Sequence, residues 1–157
     1  DGRRIATHRG VELYTIGERL AAGSVDWTGD VPPLFVVAKD IKNNRLIVGS
    51  DAETFGNKLV AGSLNWFTPS PVEVFTELDG PTFEALAKIR YRQEDVSVTV
   101  RKISNQAEVA FGQPVRALTA GQSIVFYSKE GKLLGGGIIE LVPQQDATVK
   151  RLAQNLG

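Results

Sequence analysis

The segment 87–93, AKIRYRQ in one-letter code, alternates apolar and basic side chains in a way that suits contact with a polyanion. Successive side chains of an extended strand point to opposite faces. The apolar members, expected to face a core, are Ala87, Ile89 and Tyr91. The basic members, expected in one row in water, are Lys88, Arg90 and Arg92. Such a row can contact successive phosphates, and the alternative is an ordinary amphipathic strand whose cations are simply solvated.

Bulk composition does not choose between these two interpretations. The 157 residues include 18 Lys plus Arg and 18 Asp plus Glu, so the net charge is zero and the basic footprint of many nucleic-acid-binding domains is absent. The hydrophobic share of 42% is typical of a globular protein. We find no apolar run long enough for a membrane span and no basic-then-apolar leader, so we expect neither membrane insertion nor a secretory signal.

Catalytic chemistry is missing from the residue types themselves. There is no cysteine, which excludes disulfides, thiolate ligands and cysteine nucleophiles within the chain. The single histidine, His8, argues against a histidine-rich zinc site and has no nearby candidate nucleophile. No phosphate-binding glycine motif precedes a helix, so no cofactor site is expected. The chain is therefore predicted to be a binding or scaffolding part without catalytic residues.

The first half of the chain predicts short strands. Residues 34–40 and 45–49 are predicted to form a hairpin around a turn at Lys42-Asn43-Asn44, and 59–66 a further strand. Residues 22–33, which include Trp27, lack periodicity and are predicted to be a surface loop. Two prolines in residues 68–71 favour a linker. The predicted division is a partial central β domain (1–68), a C-terminal β-barrel (69–143) and a tail (144–157).

The second half predicts six short strands separated by regular turn signals, which indicates a small antiparallel barrel or sandwich. These strands are 83–93, 96–103, 107–111, 113–118, 123–127 and 133–142. The glycine run 135–137 favours a bulge or barrel corner over a phosphate cradle, because a strand and not a helix follows it. The tail is expected to be a short helix or disordered. The predicted class is all-β.

Several segments, taken in order, resemble one family. They are His8-x-Gly10, 14–19 (YTIGER), 35–40 (FVVAKD), 44–48 (NRLIV), 64–66 (LNW), 87–93 (AKIRYRQ), 117–127 (ALTAGQSIVFY) and 135–140 (GGGIIE). Their order and spacing across residues 2–141 resemble the bacterial and organellar tRNA-specific 2-thiouridylases. The RYRQ, GQS-x-x-FY and GGGII pieces in series carry most of the resemblance.

The resemblance implies that the catalytic groups and the β domains lie in different parts of the enzyme. Enzymes of this family have an N-terminal ATP-pyrophosphatase domain, a small central β domain and a C-terminal β-barrel. They adenylate the anticodon wobble uridine of tRNA with ATP and magnesium, and a cysteine persulfide, charged by a sulfur-donor protein, delivers sulfur. The present chain resembles the central and C-terminal β domains only. We therefore expect the catalytic cysteines and the ATP loop to lie upstream of Asp1, in a cytoplasmic parent enzyme with no role on DNA or membranes.

The resemblance also implies tRNA contacts at basic and amide side chains. The candidates are Arg19, Lys39, Arg45, Lys88, Arg90, Arg92 and Gln93. Tyr91 and Tyr127 are predicted to be core residues and not stacking platforms. The family pattern is altered at Glu18, at residues 20–23, at Leu34 and at Ala120. A second hypothesis therefore stays open, in which the chain is a protein-interaction or small-ligand-binding β-barrel of a divergent paralogue with no RNA role.

Overall fold

The computed structural model describes residues 2–21, 32–67, 82–91 and 93–155. The predicted loop around Trp27, the proline-rich division at 68–71 and Arg92 lie outside these residues. The strands are β1 Phe35–Asp40, β2 Arg45–Gly49, β3 Phe55–Trp66, β4 Thr82–Lys88, β5 Val96–Ile103, β6 Gln106–Arg116, β7 Ser123–Tyr127 and β8 Leu133–Leu141. The helix α1 spans Pro143–Asn155, and 3-10 turns occur at Val11–Leu13 and Asp51–Thr54. In the described ranges, no helix combines the length and apolarity needed to cross a membrane.

Contacts divide the described residues into two compact units. The first comprises Asp1–Gly56, Arg116–Leu118 and Gln144–Gly157, and the second comprises Asn57–Val115 and Thr119–Pro143. The contact boundary at Gly56 thus falls twelve residues before the sequence-based division after residue 68 (68 − 56 = 12). Strand β3 explains the difference, because its alternation fitted either domain, whereas its hydrogen-bonded partners are β6 and β8 of the barrel.

The second unit is a closed antiparallel barrel with strand order β3-β6-β5-β4-β7-β8. The alternation that predicted strands also builds its interior: on β5, Val96, Val98 and Val100 are buried while the residues between them are exposed. Phe126 is fully buried, and the Trp66 ring stacks on it with the ring centroids 5.3 Å apart. The interior is filled by side chains, as expected for a barrel of so few strands.

The prediction of a six-stranded antiparallel barrel is confirmed, although two of the strands were assigned differently. The predicted strands 107–111 and 113–118 are one element, β6, and the sixth strand is β3. Pro114 suggested a break at this point because proline cannot donate to a ladder. It lies beyond Phe111, the last β6 residue paired with β5, so its missing amide removes no hydrogen bond from that ladder.

The first unit contains the predicted β1–β2 hairpin. Its turn is closed by Asp40, whose carboxylate accepts hydrogen bonds from the backbone amide of Asn43 at 3.2 Å and from its side-chain amide at 2.8 Å. Asn44 adopts the left-handed conformation that the Asn-Asn pair predicted. The predicted C-terminal helix is also confirmed, and the Gln145 side chain donates to the Leu118 carbonyl at 2.6 Å.

Arg116 holds three separate segments of the first unit together. Its guanidinium donates to the Asp51 carboxylate at 2.8 Å and to the Gly17 carbonyl at 2.9 Å, and it lies 5.5 Å from the centre of the Phe35 ring. The next residue, Ala117, packs in a buried cluster with Ile16 and Val36. This cluster excludes a side chain at Gly17, whose φ of 82° also disfavours one.

The glycine run of β8 allows close backbone approach and is not a phosphate loop. A Cβ at Gly136 would lie 2.7 Å from the Ile124 carbonyl oxygen of β7, and one at Gly137 would lie 2.6 Å from the Gly62 carbonyl oxygen of β3. Both distances are shorter than any normal contact of a Cβ atom. These glycines therefore let β8 fit between its two neighbours, as the sequence predicted.

We expect Gly137→Ala to destabilise the barrel by about 1–3 kcal/mol, because the added methyl group must push β8 away from β3. Gly112→Ala is the matched control, since a Cβ there would lie 3.4 Å from the nearest atom, the Ser97 carbonyl oxygen. Chemical denaturation of the variants gives the free energies of unfolding. Equal stabilities for the two variants would contradict the close-approach explanation.

We expect Arg116→Ala to lower the free energy of unfolding by about 1–3 kcal/mol, because it leaves the Gly17 carbonyl without its donor. Arg101→Ala serves as the control. Among the described residues, the Arg101 side chain has an exposed ion pair to Glu108 at 3.8 Å, and such pairs contribute about 0–1 kcal/mol. Arg116→Lys should restore little, since an ammonium cannot span both acceptors. A loss for Arg116→Ala no larger than for Arg101→Ala would refute this role.

Candidate nucleic-acid interface

The basic segment predicted as a strand is a strand followed by a turn. β4 ends at Lys88, and residues 89–91 bend away from it. The backbone amide of Gln93 donates to the Arg90 carbonyl at 3.1 Å. The predicted strand to residue 93 is therefore wrong. β4 pairs with β5 as far as Ala87 opposite Val96, so the residues between them must reverse the chain. Alternation alone could not reveal this, because it does not show where a partner strand begins.

The described candidates of this corner are three side chains in one connection of the barrel. Lys88 is about one-third exposed and lies 3.6 Å from the Asp95 carboxylate, which is also partly exposed. Arg90 is exposed and Gln93 is half-buried. They occupy the end of β4 and the turn that follows, so they do not form the straight row of an extended strand. We call residues 88–91 together with 93–95 the basic corner.

Tyr91 differs most from its sequence prediction. It was expected in the core, but 93% of its surface is exposed. The bend after Lys88 breaks the alternation that would have turned it inward. Tyr127, the other tyrosine predicted to be core, is half-buried on β7 opposite Leu86. The exposed aromatic ring of the basic corner is thus a feature that sequence reasoning missed.

Lys129, another lysine of the barrel, has a tighter contact with a carboxylate than Lys88 has. Lys129 donates a short hydrogen bond to the Glu84 carboxylate of β4. This hydrogen bond, reinforced by the opposite charge, lowers the pKa of the Glu84 carboxyl and raises the pKa of the Lys129 ammonium. Lys88 has a longer and looser carboxylate contact, so of these two lysines it can more readily exchange its partner for a phosphate.

The remaining candidates belong to the first unit and do not share one face. Arg19 is exposed, and its backbone forms an isolated antiparallel β-bridge with Phe35. Lys39 is half-buried on β1, and Arg45 is exposed at the start of β2. In the hairpin register, Lys39 is opposite Leu46 and Arg45 is opposite Asp40. Directly opposed residues of an antiparallel pair point to the same side, so Lys39 and Arg45 point to opposite sides.

Arg45 instead lines a cavity of about 660 Å³ within the first unit. The walls come from residues 2–8, the β1–β2 hairpin and α1. Its charged lining residues are Arg3, Arg4, Arg45, Arg151, Asp40 and Glu53. Four guanidinium groups against two carboxylates make the lining cationic. Sequence reasoning missed this arrangement because its members are far apart in the chain.

His8 has a structural role in the same unit. Its Nδ1 accepts a hydrogen bond from the Gly10 amide at 3.1 Å, which leaves Nε2 to donate to the Asn44 carbonyl at 3.1 Å. Nε2 thus attaches the N-terminal segment to the hairpin turn, while Nδ1 closes a local turn at Gly10.

Two family descriptions match the chain in series. Residues 1–50 match the tRNA methyl transferase PRC-barrel domain, and residues 56–139 match the aminomethyltransferase beta-barrel domain. The second match covers more than half of the chain. The chain belongs to the tRNA-specific 2-thiouridylase family. In this family member, the second match begins at Gly56, where the contacts also divide the chain.

Curated relatives agree with this assignment. Three proteins named tRNA-specific 2-thiouridylase MnmA come from Streptococcus pyogenes serotypes M4 (strain MGAS10750), M2 (strain MGAS10270) and M6 (strain ATCC BAA-946 / MGAS10394). Each is 43% identical over 145 residues, which is 90% of this chain. The chain spans 37% of the length of these 2-thiouridylases.

The described residues offer neither a phosphate loop nor a metal site for the cofactor that the family implies. A phosphate-binding glycine loop leads into a helix, whereas Gly135–Gly137 lie within β8 and meet the backbone of its neighbours. Among the described residues, no group of three or more His, Asp or Glu side chains could hold a metal ion. The described residues therefore support no step that involves ATP or magnesium.

Proposed function

We propose that this chain is the non-catalytic tRNA-binding and positioning region of an ATP-dependent tRNA 2-thiouridylase that thiolates the anticodon wobble uridine. One observation carries the proposal: a barrel that matches the family presents Lys88, Arg90 and Gln93 on one connection, the basic corner. The chemistry, with ATP, magnesium and a persulfide from a donor protein, belongs to the rest of a cytoplasmic parent enzyme.

The basic corner can bind the backbone of RNA without reading its sequence. Cationic side chains contact phosphates and thereby fix register and orientation. Lys88 can make such a contact at small cost, because its exposed pair with Asp95 at 3.6 Å stabilises the fold by only about 0–1 kcal/mol. The side-chain amide of Gln93, in the same connection, can hydrogen-bond a ribose or base edge. The β4 and β5 ladder holds both ends of this connection in place.

The second hypothesis, a small-ligand barrel, has less support from the barrel itself. The largest buried side chains of the unit include Phe126, Leu59, Ile124 and Ile139, which fill the space between the strands. A ligand of the barrel would have to bind on its outside. A protein-interaction role would leave the basic corner without a specific purpose, and binding measurements separate the two possibilities.

The test is a salt titration of tRNA binding to the chain, followed by fluorescence anisotropy. A phosphate-contacting surface predicts that log affinity falls linearly with log salt concentration, with a slope of about 0.7–0.9 per phosphate contacted. Lys88→Ala and Arg90→Ala should each reduce the steepness of that slope by the amount that corresponds to about one phosphate contact. Arg101→Ala removes the same charge from the far end of β5 and should leave the slope unchanged. Absence of tRNA binding at low salt, or equal slopes in all four proteins, would refute the proposal.

A second prediction uses the carboxylate that competes with phosphate. Asp95→Asn frees Lys88 from its ion pair and should raise tRNA affinity at low salt by about twofold to fivefold, the range expected for a weak exposed pair. Glu108→Gln frees Arg101 from a similar pair at 3.8 Å and makes the same change in net charge. It should leave affinity nearly unchanged. Equal gains in the two variants would mean that only net charge matters, and not the basic corner.

A further inference from the structure

The ring of Tyr91 is the largest exposed apolar group of the basic corner, and phosphate contacts alone do not explain it. Its 93% exposure exceeds that of Phe67 at 64% and of Leu133 at 42%, the next most exposed large apolar residues of the barrel. Phe67 and Leu133 follow β3 and begin β8, at the opposite end of the barrel from Tyr91. Tyr91 is therefore exposed at a different end of the barrel from these two residues.

The backbone presents this ring from a fixed base. β4 is paired with β5 over six residue pairs, from Thr82–Arg101 to Ala87–Val96, and with β7 as far as Lys88. Beyond these ladders, the Gln93 amide closes a turn on the Arg90 carbonyl. Tyr91 lies inside this turn, between a paired strand and a hydrogen bond. The end of the β4 ladder and the hydrogen bond to the Arg90 carbonyl thus flank the residue that carries the ring.

We propose that Tyr91 is a stacking platform for the base of an unpaired nucleotide in the RNA. This inference rests on the proposed function and adds to it the kind of RNA that the corner recognises. Exposed aromatic rings next to basic side chains are the usual means of holding single-stranded nucleic acid. Arg90 and Lys88 contact the backbone, while the tyrosine ring covers one face of the base. A paired base is stacked within its helix and cannot offer that face.

Stacking and phosphate contact respond differently to salt, so they can be measured separately. Loss of a stacking contact lowers affinity by about 5-fold to 150-fold per base. It does not change the number of counterions that binding releases. Loss of a phosphate contact changes the salt slope itself. Tyr91→Ala should thus weaken tRNA binding at every salt concentration by one constant factor. Arg90→Ala should weaken it by a factor that shrinks as salt rises.

The experiment uses the chain with three labelled probes: a tRNA transcript, a 12-nucleotide single-stranded RNA and a 12-base-pair RNA duplex. Tyr91→Ala should weaken binding of the first two about 5-fold to 150-fold and leave the duplex unaffected. Tyr91→Phe should bind as the unchanged chain does, and Tyr91→Leu should behave like alanine. Phe67→Ala is the control for loss of an exposed aromatic ring elsewhere on the barrel. Thermal unfolding of each variant checks that the fold is retained.

Each failure has its own meaning. Unchanged affinity of Tyr91→Ala for the tRNA transcript, or full rescue by leucine, would overturn the stacking role while leaving the proposed function intact. A reduced salt slope in Tyr91→Ala would also overturn it, because the variant would then have lost a phosphate contact. If the unchanged chain bound none of the three RNAs, the proposed function itself would fail, and the stacking role that rests on it would fail with it.

Discussion

Closure of the barrel depends on how closely β8 can approach the strands on either side of it. Gly136 and Gly137 bring its backbone against carbonyl oxygens of β7 and β3, at distances that no side chain would permit. A six-stranded barrel is narrow, and small residues at a crowded strand allow its sheet to curve back on itself. The ladders that hold the basic corner belong to this closed sheet. The glycines of β8 therefore support the basic corner indirectly, through the sheet that they allow to close.

The sequence predicted the parts of the fold that follow from local pattern. Alternation predicted the hairpin and most barrel strands, and the Asn-Asn pair predicted the left-handed residue of its turn. Strand β3 was placed in the wrong domain because a strand carries no mark of its partners. The bend at residue 89 was missed for a related reason: alternation continued in the letters AKIRYRQ after the ladder had ended. Partner choice and chain reversal are long-range properties of the sheet.

The same distinction applies to the candidate site. Residue type alone identified the cations Lys88 and Arg90, because lysine and arginine rarely lie in a core. Tyr91 could be assigned only from its surroundings, since tyrosine is common both in cores and on surfaces. A neutral chain can still carry a polyanion site when basic side chains gather at one connection and their acidic neighbours hold them weakly. Lys88 and Asp95 have such a loose contact, with 3.6 Å between the ammonium and the carboxylate.

The path of β6 bears on the rate at which the first unit can form. The strand ends at Arg116, and residues 116–118 belong to the first unit, where Ala117 packs in the buried cluster with Ile16 and Val36. Arg116 contacts Gly17 across 99 residues of chain. The segment 1–50, matched as a separate domain, therefore does not contain all of the first unit, because Arg116–Leu118 and α1 also contribute to it. Contacts between residues so far apart in the chain close a long loop, and such non-local contacts slow folding.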